Sequence, residues 1–268
     1  YWTIYFLHGS NGHDYFLVGH LVANGTNLPI SSTVRVSLLD INDGYYFGEA
    51  FHEKTASFAI DTFSYYGDKF QTYSLSPDLY STQVVKSSVE GAEFHIVSSP
   101  RGPNLYDAGS GAFFWGENWT YEVAYPEQWV TGNITYKGDV VDIVSEQSAS
   151  WFDRQFGVGV GSAGWHLWIL LLDNGMKLTI WRSDSVNNNP KQYFATVLFP
   201  DGHHEVYPID ANIHASEPYV SADTGLTYYG RHIVTIPGLG AHFDIRQPHL
   251  AGEMTDKMVR SEVNQFVE

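Results

Sequence analysis

Short apolar runs separated by tight turn sequences most constrain how this chain folds. Asn11-Gly12 lies between residues 2–8 and 14–20, and Asn-Gly favours the positive φ angles of a type I′ hairpin turn. Each such pair predicts two antiparallel strands. Two further pairs have the same arrangement: residues 165–172 and 176–181 around Asp173-Asn174-Gly175, and residues 193–199 and 204–207 around Asp201-Gly202.

Long helical periodicity is nearly absent from the sequence. Its 25 Gly and 11 Pro recur at short intervals, which favours short strands and frequent turns. The pattern is typical of an all-β sandwich or barrel. We place a boundary near residue 145, which gives an N-terminal β-sandwich or lipocalin-like domain over residues 1–145 and a C-terminal barrel domain over residues 146–268.

Composition excludes several classes of protein. The chain has no Cys, so it has no disulfide scaffold, no thiolate nucleophile and no Cys-based metal site. A net charge of −16 argues against nucleic acid or an anionic membrane as the main partner, because both need clustered Lys and Arg. No apolar run reaches the roughly 18 residues of a transmembrane helix.

Three sequons favour passage through the secretory pathway: Asn24-Gly25-Thr26, Asn118-Trp119-Thr120 and Asn133-Ile134-Thr135. About one or two would arise by chance, which leaves a cytoplasmic location open. The sequence opens inside a structured pattern without an initiator Met or a signal peptide. We interpret this as a processed or trimmed chain.

The run at residues 165–172 is apolar at most positions on both faces. One face of such a strand lines a core and the other meets a second apolar surface. That surface is either the wall of a ligand cavity in a barrel or another packed layer, and the sequence leaves both open.

Several motif matches lack the context that their chemistry needs. Gly159, Gly161 and Gly164 match G-x-G-x-x-G, but a strand and not a helix is predicted to follow them. Ser162 lacks the glycine two residues before it that a nucleophile elbow requires. The 12 His show no tight ligand spacing, so we expect no metal.

The segment Ser150-Trp151-Phe152-Asp153-Arg154-Gln155-Phe156-Gly157 combines an acid and a base with aromatic residues. In a strand, Trp151, Asp153 and Gln155 share one face. An Asp beside Trp in an apolar cavity has a raised pKa, which suits a general acid. An Asp–Arg pair that holds two sheets together is the structural alternative.

This segment resembles the W-x-D-R-x-[WF] signature of the carotenoid 1,2-hydratase/AttH-like lipocalin superfamily, and is most similar to its secreted fungal kievitone hydratase-like branch. Other parts resemble the same branch and together span most of the chain. These parts are residues 1–4 with 15–20, 165–175, 193–202, 252–254 and 266–268.

The resemblance implies two consecutive lipocalin-like or β-sandwich barrels with a ligand cavity at or near their interface. Family members continue past the position of Glu268 into closing strands, so the C-terminal barrel is expected to lack those strands here. The resemblance also implies that no cofactor is needed and that the substrate is a small apolar, prenylated or terpenoid molecule.

The resemblance favours a hydratase that adds water to an alkene of such a secondary metabolite by acid catalysis in an aromatic-lined cavity. In that case Asp153 is the candidate acid, and Glu268 and His20 are candidates for the second role. Arg154 orients Asp153 or braces the strand. Candidate cavity walls are Trp151, Trp165, Trp181 and Tyr229.

Two other functions fit the same fold. A pericyclase of the Diels–Alderase type would shape its substrate without a proton shuttle. A non-catalytic carrier would need only the apolar cavity. The sequence does not indicate an oligomeric state.

Overall fold

The computed structural model describes residues 1–24, 31–53, 57–59, 64–76, 81–116, 118–157, 164–184, 191–255 and 266–267. Within these ranges the chain forms strands and short 3-10 turns without an α-helix, so the all-β expectation is confirmed. No helix in the described part is long and apolar enough to cross a membrane.

Among the described residues, the first sheet has 14 strands. They are β1 (Trp2–His8), β2 (Asp14–Asn24), β3 (Ser31–Asp40), β4 (Tyr46–Glu53), β5 (Ser57–Ala59), β6 (Ser64–Tyr66), β7 (Phe70–Ser74), β8 (Gln83–Val89), β9 (Ala92–Pro100), β10 (Leu105–Tyr106), β11 (Ala112–Trp115), β12 (Asn118–Tyr136), β13 (Asp139–Asp142) and β14 (Ala149–Gly157).

Three smaller sheets follow in the described part of the chain. The second contains β15 (Trp165–Leu171), β16 (Lys177–Ser183), β17 (Gln192–Leu198) and β18 (His204–Pro208), and the third contains β19 (His214–Val220), β20 (Thr227–Ile236) and β21 (Ala241–Arg246). The last pairs β22 (Glu253–Met254) with β23 (Phe266–Val267). The 3-10 turns cover Asp107–Gly109, Ser145–Gln147 and Pro237–Leu239.

The first sheet runs in the order β4-β3-β2-β1-β14-β12-β9-β8-β7-β6-β5. It curls on itself, because β3 contacts β9 although four strands lie between them in that order. Val34 and Val36 of β3 pack with Phe94 and Ile96 of β9 in the enclosed core.

Side chains along β1 point alternately into this core and into a second packed layer on the outer face of the sheet. Tyr5 and Leu7 point into the curled sheet, whereas Trp2 and Ile4 point out of it. The outward side chains pack with Ile169 and with other residues of the second sheet. The outer face of the first sheet is therefore covered, and polar side chains that point outward there are buried.

The second sheet lies between two packed layers. Ile169 and Leu171 of β15 face the first sheet. Trp168, Leu178 and Ile180 face the third sheet and pack with Val234 and Ile236. Of the two interpretations of the run at residues 165–172, the structure thus favours two packed layers.

The chain after the third sheet returns to the first. The Tyr46 hydroxyl donates to the Gly252 carbonyl oxygen over 3.0 Å, and the Tyr46 ring stacks on His249 at 5.2 Å. Met254 is fully buried with Ile4 and Trp151. This segment, residues 249–254, packs against the outer face that carries the motif strand β14.

The three hairpins predicted from turn sequences are confirmed. β1 pairs with β2, β15 with β16 and β17 with β18. The glycine of each turn has a positive φ, 82° at Gly12, 85° at Gly175 and 91° at Gly202. The division at residue 145 stays a prediction; β14 is hydrogen bonded to β1 and β12 of the first sheet, and the change of sheet comes after it.

Candidate active site

The motif strand β14 places an acid in the layer between the first two sheets. Trp151 and Asp153 point outward with Ile4 and Trp2, their partners on β1, and Phe152 points the other way. Asp153 is 2% exposed, and the Trp151 indole Nε1–H donates to its Oδ1 over 2.5 Å. Its Oδ2 has no hydrogen-bond partner among the described residues.

Two further buried carboxyl groups lie beside Asp153, and the sequence did not predict either. Glu122 on β12 is 2% exposed, and Asp107 on the first 3-10 turn is fully buried. The turn reaches Glu122 because the Glu122 backbone N–H donates to the Gly111 carbonyl oxygen over 2.8 Å. One oxygen of each group, Asp107 Oδ2 and Glu122 Oε2, has no partner in the described part of the chain.

The turn that carries Asp107 is fixed to the second sheet. The Thr179 hydroxyl donates to Asp107 Oδ1 over 2.5 Å, and the Ala108 N–H donates to the Thr196 hydroxyl oxygen over 2.9 Å. Ala108 has a φ of 53°, a left-handed conformation that costs a residue with a Cβ about 1 kcal/mol. Backbone strain of this kind recurs at functional sites, where the surroundings hold it in place.

Burial raises the pKa of all three carboxyl groups, and the Asp107 charge adds to the increase at Glu122 and Asp153. Burial raises the pKa of Asp107 to about 7, and the Thr179 hydroxyl and Trp181 indole act in the opposite direction. Burial, together with the charges of Asp107 and Asp153, raises the pKa of Glu122 well above its usual value. Burial and the Asp107 charge do the same for Asp153, partly opposed by Trp151. At neutral pH the group therefore holds protonated carboxyls beside at most a partly ionised one.

His20 lies on the same outer face, across Trp2 from Asp153. The Cα of Trp2 pairs with Asp153 on one side and with His20 on the other. The His20 ring lies 4.4 Å from the Trp2 ring, and His20 is 7% exposed. Burial, and then the charges of the Tyr1 amino group and the Arg35 guanidinium, lower the pKa of His20 well below its usual value. His20 is therefore neutral at physiological pH.

An aromatic cluster borders Asp107. The Trp181 ring lies 5.3 Å from Phe113, 5.6 Å from Trp165 and 5.8 Å from Trp115. Phe194 packs against Phe113 at 5.3 Å, and Ala108 packs against the same group. The predicted walls Trp165 and Trp181 are thus brought together with each other and with the carboxyl groups.

An open cleft of about 450 Å³ lies at another edge of this layer, between Phe6, Leu171 and Lys177. Lys177 Nζ contacts Glu127 Oε2 at 2.7 Å. Lys177 and Thr179 are two residues apart on one face of β16, about 7 Å along the strand. Lys177, which lines the cleft, therefore lies one strand repeat from Thr179, the hydrogen-bond donor to Asp107.

The remaining predicted residues are not part of this arrangement. Arg154 points to the face opposite Asp153 and lies over the Phe156 ring at 5.2 Å. Tyr229 is 39% exposed on β20 in the third sheet. Glu268 and the Asn24 side chain lie outside the described residues. Asn118 is exposed and Asn133 is half-buried, and use of the sequons stays a prediction.

Of the two acids that the sequence did not predict, Glu122 stands at a position that a sequence pattern could have identified, and Asp107 does not. Glu122 interrupts the buried face of a strand, between Thr120 and Ala124, which are both buried. A charged residue at such a position is a usable sign of a functional site. Asp107 sits among turn formers, where an acid is ordinary. Among the described residues, no group of three or more His, Asp or Glu has an arrangement that could hold a metal ion.

Comparison with known proteins gives relatives but no match to a family model. The chain is 25% identical over 248 residues to kievitone hydratase of Fusarium solani subsp. phaseoli, which covers 90% of this chain and 68% of the relative. It is 27% identical over 179 residues to dehydratase asqC of Emericella nidulans, 65% of this chain and 50% of the relative. The chain thus spans half to two thirds of these proteins.

Solved structures share the fold. The crystal structure of kievitone hydratase from Nectria haematococca matches with a TM-score of 0.85 and 21% identity, over 96% of this chain and 78% of that one. A putative AttH from Nitrosomonas europaea matches with a TM-score of 0.75 and 16% identity, over 94% and 81%. The lipocalin-like fold expected from the sequence is confirmed by these likenesses.

Proposed function

We propose that this chain is a cofactor-independent hydratase of the AttH-like lipocalin superfamily, in the branch of fungal kievitone hydratase, to which it is similar in sequence and fold. It adds water to an alkene of a prenylated or terpenoid secondary metabolite, or removes water in the reverse direction. The observation that carries the proposal is the group of three buried carboxyls, Asp107, Glu122 and Asp153, beside an aromatic wall. The curated relatives are a hydratase and a dehydratase by name, and the expectation of a hydro-lyase agrees with both.

The first step of hydration needs an acid that is protonated at neutral pH. Asp153 meets this need because burial raises its pKa. Its proton passes to one alkene carbon, the π electrons form the new C–H bond, and the other carbon becomes a cation. The Trp181 and Trp165 rings lie in this layer, and each well-placed ring stabilises a cation by about 0.5–2 kcal/mol.

The second step needs a base for the attacking water. Asp107 is suited to this role because its pKa of about 7 makes it partly ionised at neutral pH. The water oxygen bonds to the cation, and its surplus proton passes to Asp107. The proton that Asp107 gains must return to Asp153 before the next turnover. Glu122, whose pKa responds to both groups, is the proposed carrier, and water must bridge the carboxyls because their free oxygens have no hydrogen-bond partner among the described residues. The enzyme then returns to its starting state.

The two alternatives account for the carboxyls less well. A pericyclase needs shape and hydrogen-bond donors, and a carrier needs only apolar surface. Burying a carboxyl oxygen without a partner costs roughly 1–3 kcal/mol. The chain carries three such oxygens among its described residues, on Asp107, Glu122 and Asp153. A proton-transfer function gives a reason for that cost.

Location and organisation are further parts of the proposal. Three sequons support passage through the secretory pathway, and the exposed position of Asn118 is suitable for a glycan. The residue 145 boundary and the two-domain description rest on the sequence pattern. The cleft beside Lys177 is a suitable entrance for substrate.

The experiment is turnover of a panel of prenylated phenols and terpenoid alkenes in oxygen-18 water, followed by mass spectrometry. We expect a product heavier than its substrate by one labelled water, formed by the wild-type chain and not by Asp153→Asn. The exposed Asp139→Asn is the matched control and should keep full activity. An unlabelled isomeric product would favour the cyclase, and a bound, unchanged ligand would favour the carrier.

A further inference from the structure

The cleft beside Lys177 has apolar walls that come from both of the first two sheets. Its volume of about 450 Å³ falls within the roughly 300–1,000 Å³ of small-molecule sites. Phe6 and Ala149 line it from the first sheet, and Leu171 lines it from the second. Phe6 is 36% exposed although its side chain is large and apolar. The cleft therefore offers a surface to which an apolar molecule can bind.

An ion pair joins the two sheets at this cleft. Glu127 Oε2 on β12 contacts Lys177 Nζ at 2.7 Å, and Glu127 Oε1 contacts Arg101 Nη2 at 3.4 Å. The Arg101 guanidinium lies over the Trp129 ring at 4.2 Å. Glu127, Lys177 and Arg101 all line the cleft. The site thus combines apolar walls with a few fixed polar groups, which is the combination that orients small ligands.

The backbone of β12 is irregular at the point where Glu127 enters the cleft. The pairing of β12 with β14 shifts register between Tyr125 and Gln128, and Glu127 has a φ of 57°. Bulges re-aim side chains and are common next to active sites. A residue with a Cβ adopts this left-handed conformation at a cost, so the surrounding structure must hold it. The contacts of Glu127 with Lys177 and Arg101 supply such a hold.

Lys177 retains one hydrogen-bond donor for a ligand. An ammonium group has three N–H donors and no acceptor. One donor goes to Glu127 and one to the Gly175 carbonyl oxygen over 3.1 Å, and the described residues offer no third partner. The Lys177 side chain is 13% exposed and lines the cleft. A molecule bound in the cleft can therefore accept the remaining hydrogen bond.

The charges at the cleft favour a neutral ligand over an anion. Two cations and three acids line it: Arg101, Lys177, Glu127, Glu146 and Asp173. Their formal charges leave an excess of one negative charge, and the whole chain carries −16. A field of this sign opposes the binding of a carboxylate. A hydroxyl or carbonyl oxygen, in contrast, needs only the donor of Lys177.

We propose that the cleft binds a small apolar molecule through a neutral phenolic or carbonyl oxygen, which accepts a hydrogen bond from Lys177, and that Glu127 excludes anionic ligands. Phe6 and Leu171 contact the apolar part of the molecule. Its identification as the substrate rests on the proposed function, whereas the binding does not. Lys177 and Glu127 then determine specificity and take no part in proton transfer.

The test is isothermal titration calorimetry of the whole chain at pH 7 with three probes that differ in one group. They are para-prenylphenol, prenylbenzene and para-prenylbenzoate. A hydrogen bond from a charged donor changes affinity by about 10-fold or more. We therefore expect the wild type to bind the phenol about 10-fold more tightly than the hydrocarbon, and to bind the benzoate more weakly than the phenol.

Two variants assign these preferences to residues. Lys177→Met should bind the phenol and the hydrocarbon equally, and its binding of the hydrocarbon shows that the cleft is intact. Lys191→Met, near the opposite end of the second sheet, should behave as the wild type. Glu127→Gln should bind the benzoate about 10-fold more tightly than the wild type does, because it removes one negative charge beside Lys177. Glu90→Gln, at an exposed turn, should not.

The wild type alone can overturn the proposal, by binding none of the probes, by binding the phenol and the hydrocarbon equally, or by preferring the benzoate. An unchanged preference for the phenol in Lys177→Met would overturn it as well. Asp153→Asn separates this site from the proposed reaction, since it should bind all three probes as the wild type does. Normal binding of the phenol by a chain without hydratase activity would contradict the proposed function and support the cleft site.

Discussion

Asp153 is the residue with the most specific role in the proposed chemistry, since it must be a protonated acid at neutral pH. Asp153→Asn keeps the volume and the Trp151 hydrogen bond but removes the proton to be donated. We expect turnover to fall about 10²-fold to 10⁴-fold, the usual contribution of a general acid. Steady-state kinetics beside Asp139→Asn checks this, and the variant should unfold at no lower denaturant concentration than the wild type.

The hydrogen bond from Thr179 lowers the pKa of Asp107, the proposed base. Thr179→Val removes the donor that stabilises the ionised form, so the pKa of Asp107 rises above about 7. The base must be ionised to act, so activity rises with pH through that pKa. We expect the rising part of the kcat/KM profile to move up by about one pH unit. Thr135→Val, outside the site, should leave the profile in place, and an unmoved profile in Thr179→Val would argue against Asp107 as the base.

The sequence predicted part of this site at the residue scale. Asp153, Trp151 and His20 came from a motif and a hairpin, and the structure brings them together on one face. Asp107 and Glu122 were missed because their role depends on which surface covers them. That surface is the second sheet, which begins more than 40 residues further along the chain than either of them.

The segment at residues 249–254 connects the third sheet to the outer face of the first. Met254 is fully buried with Ile4 and Trp151. Met254→Ala should lower the free energy of unfolding by about 2–5 kcal/mol because it leaves a cavity. Urea unfolding measures this, with Val140→Ala, 69% exposed, as a control expected within about 0.5 kcal/mol of wild type. An equally small change at Met254 would mean that the segment is not held there.

At the scale of elements, local sequence predicts hairpins well and distant pairing poorly. The turns at Gly12, Gly175 and Gly202 each define two strands. Nothing local indicates that β14 pairs with β1, because Trp2 and its partner Asp153 are far apart in sequence. The sequence does not predict the bulge between Tyr125 and Gln128 either. Glu127 takes a φ of 57° there, and no glycine marks the position.

For the whole molecule, buried carboxyls that stay protonated make stability depend on pH. Burial raises the folded-state pKa of Glu122, so above pH 4.5 the unfolded chain ionises this group while the folded chain does not. Wild-type stability is thus lost as pH rises, and Glu122→Gln avoids this loss. The variant should gain stability relative to wild type between pH 4 and pH 8, by about 1.4 kcal/mol for each pH unit of the raised pKa.

Urea unfolding at several pH values measures this difference, and histidine titrations cancel because both chains contain the same histidines. Glu90→Gln, at an exposed turn, should show no such trend. A Glu122→Gln curve parallel to that of the wild type would show that Glu122 ionises normally in the folded protein.

The central claim, that protonated carboxyls persist beside a partly ionised one at neutral pH, has a direct test that needs no substrate. Infrared spectroscopy of the whole chain at pH 7 distinguishes the C=O stretch of a protonated carboxyl from that of a carboxylate. We predict a protonated-carboxyl band in the wild type that weakens in both Asp153→Asn and Glu122→Gln and is unchanged in Asp139→Asn. The absence of that band from the wild type at pH 7 would contradict the account.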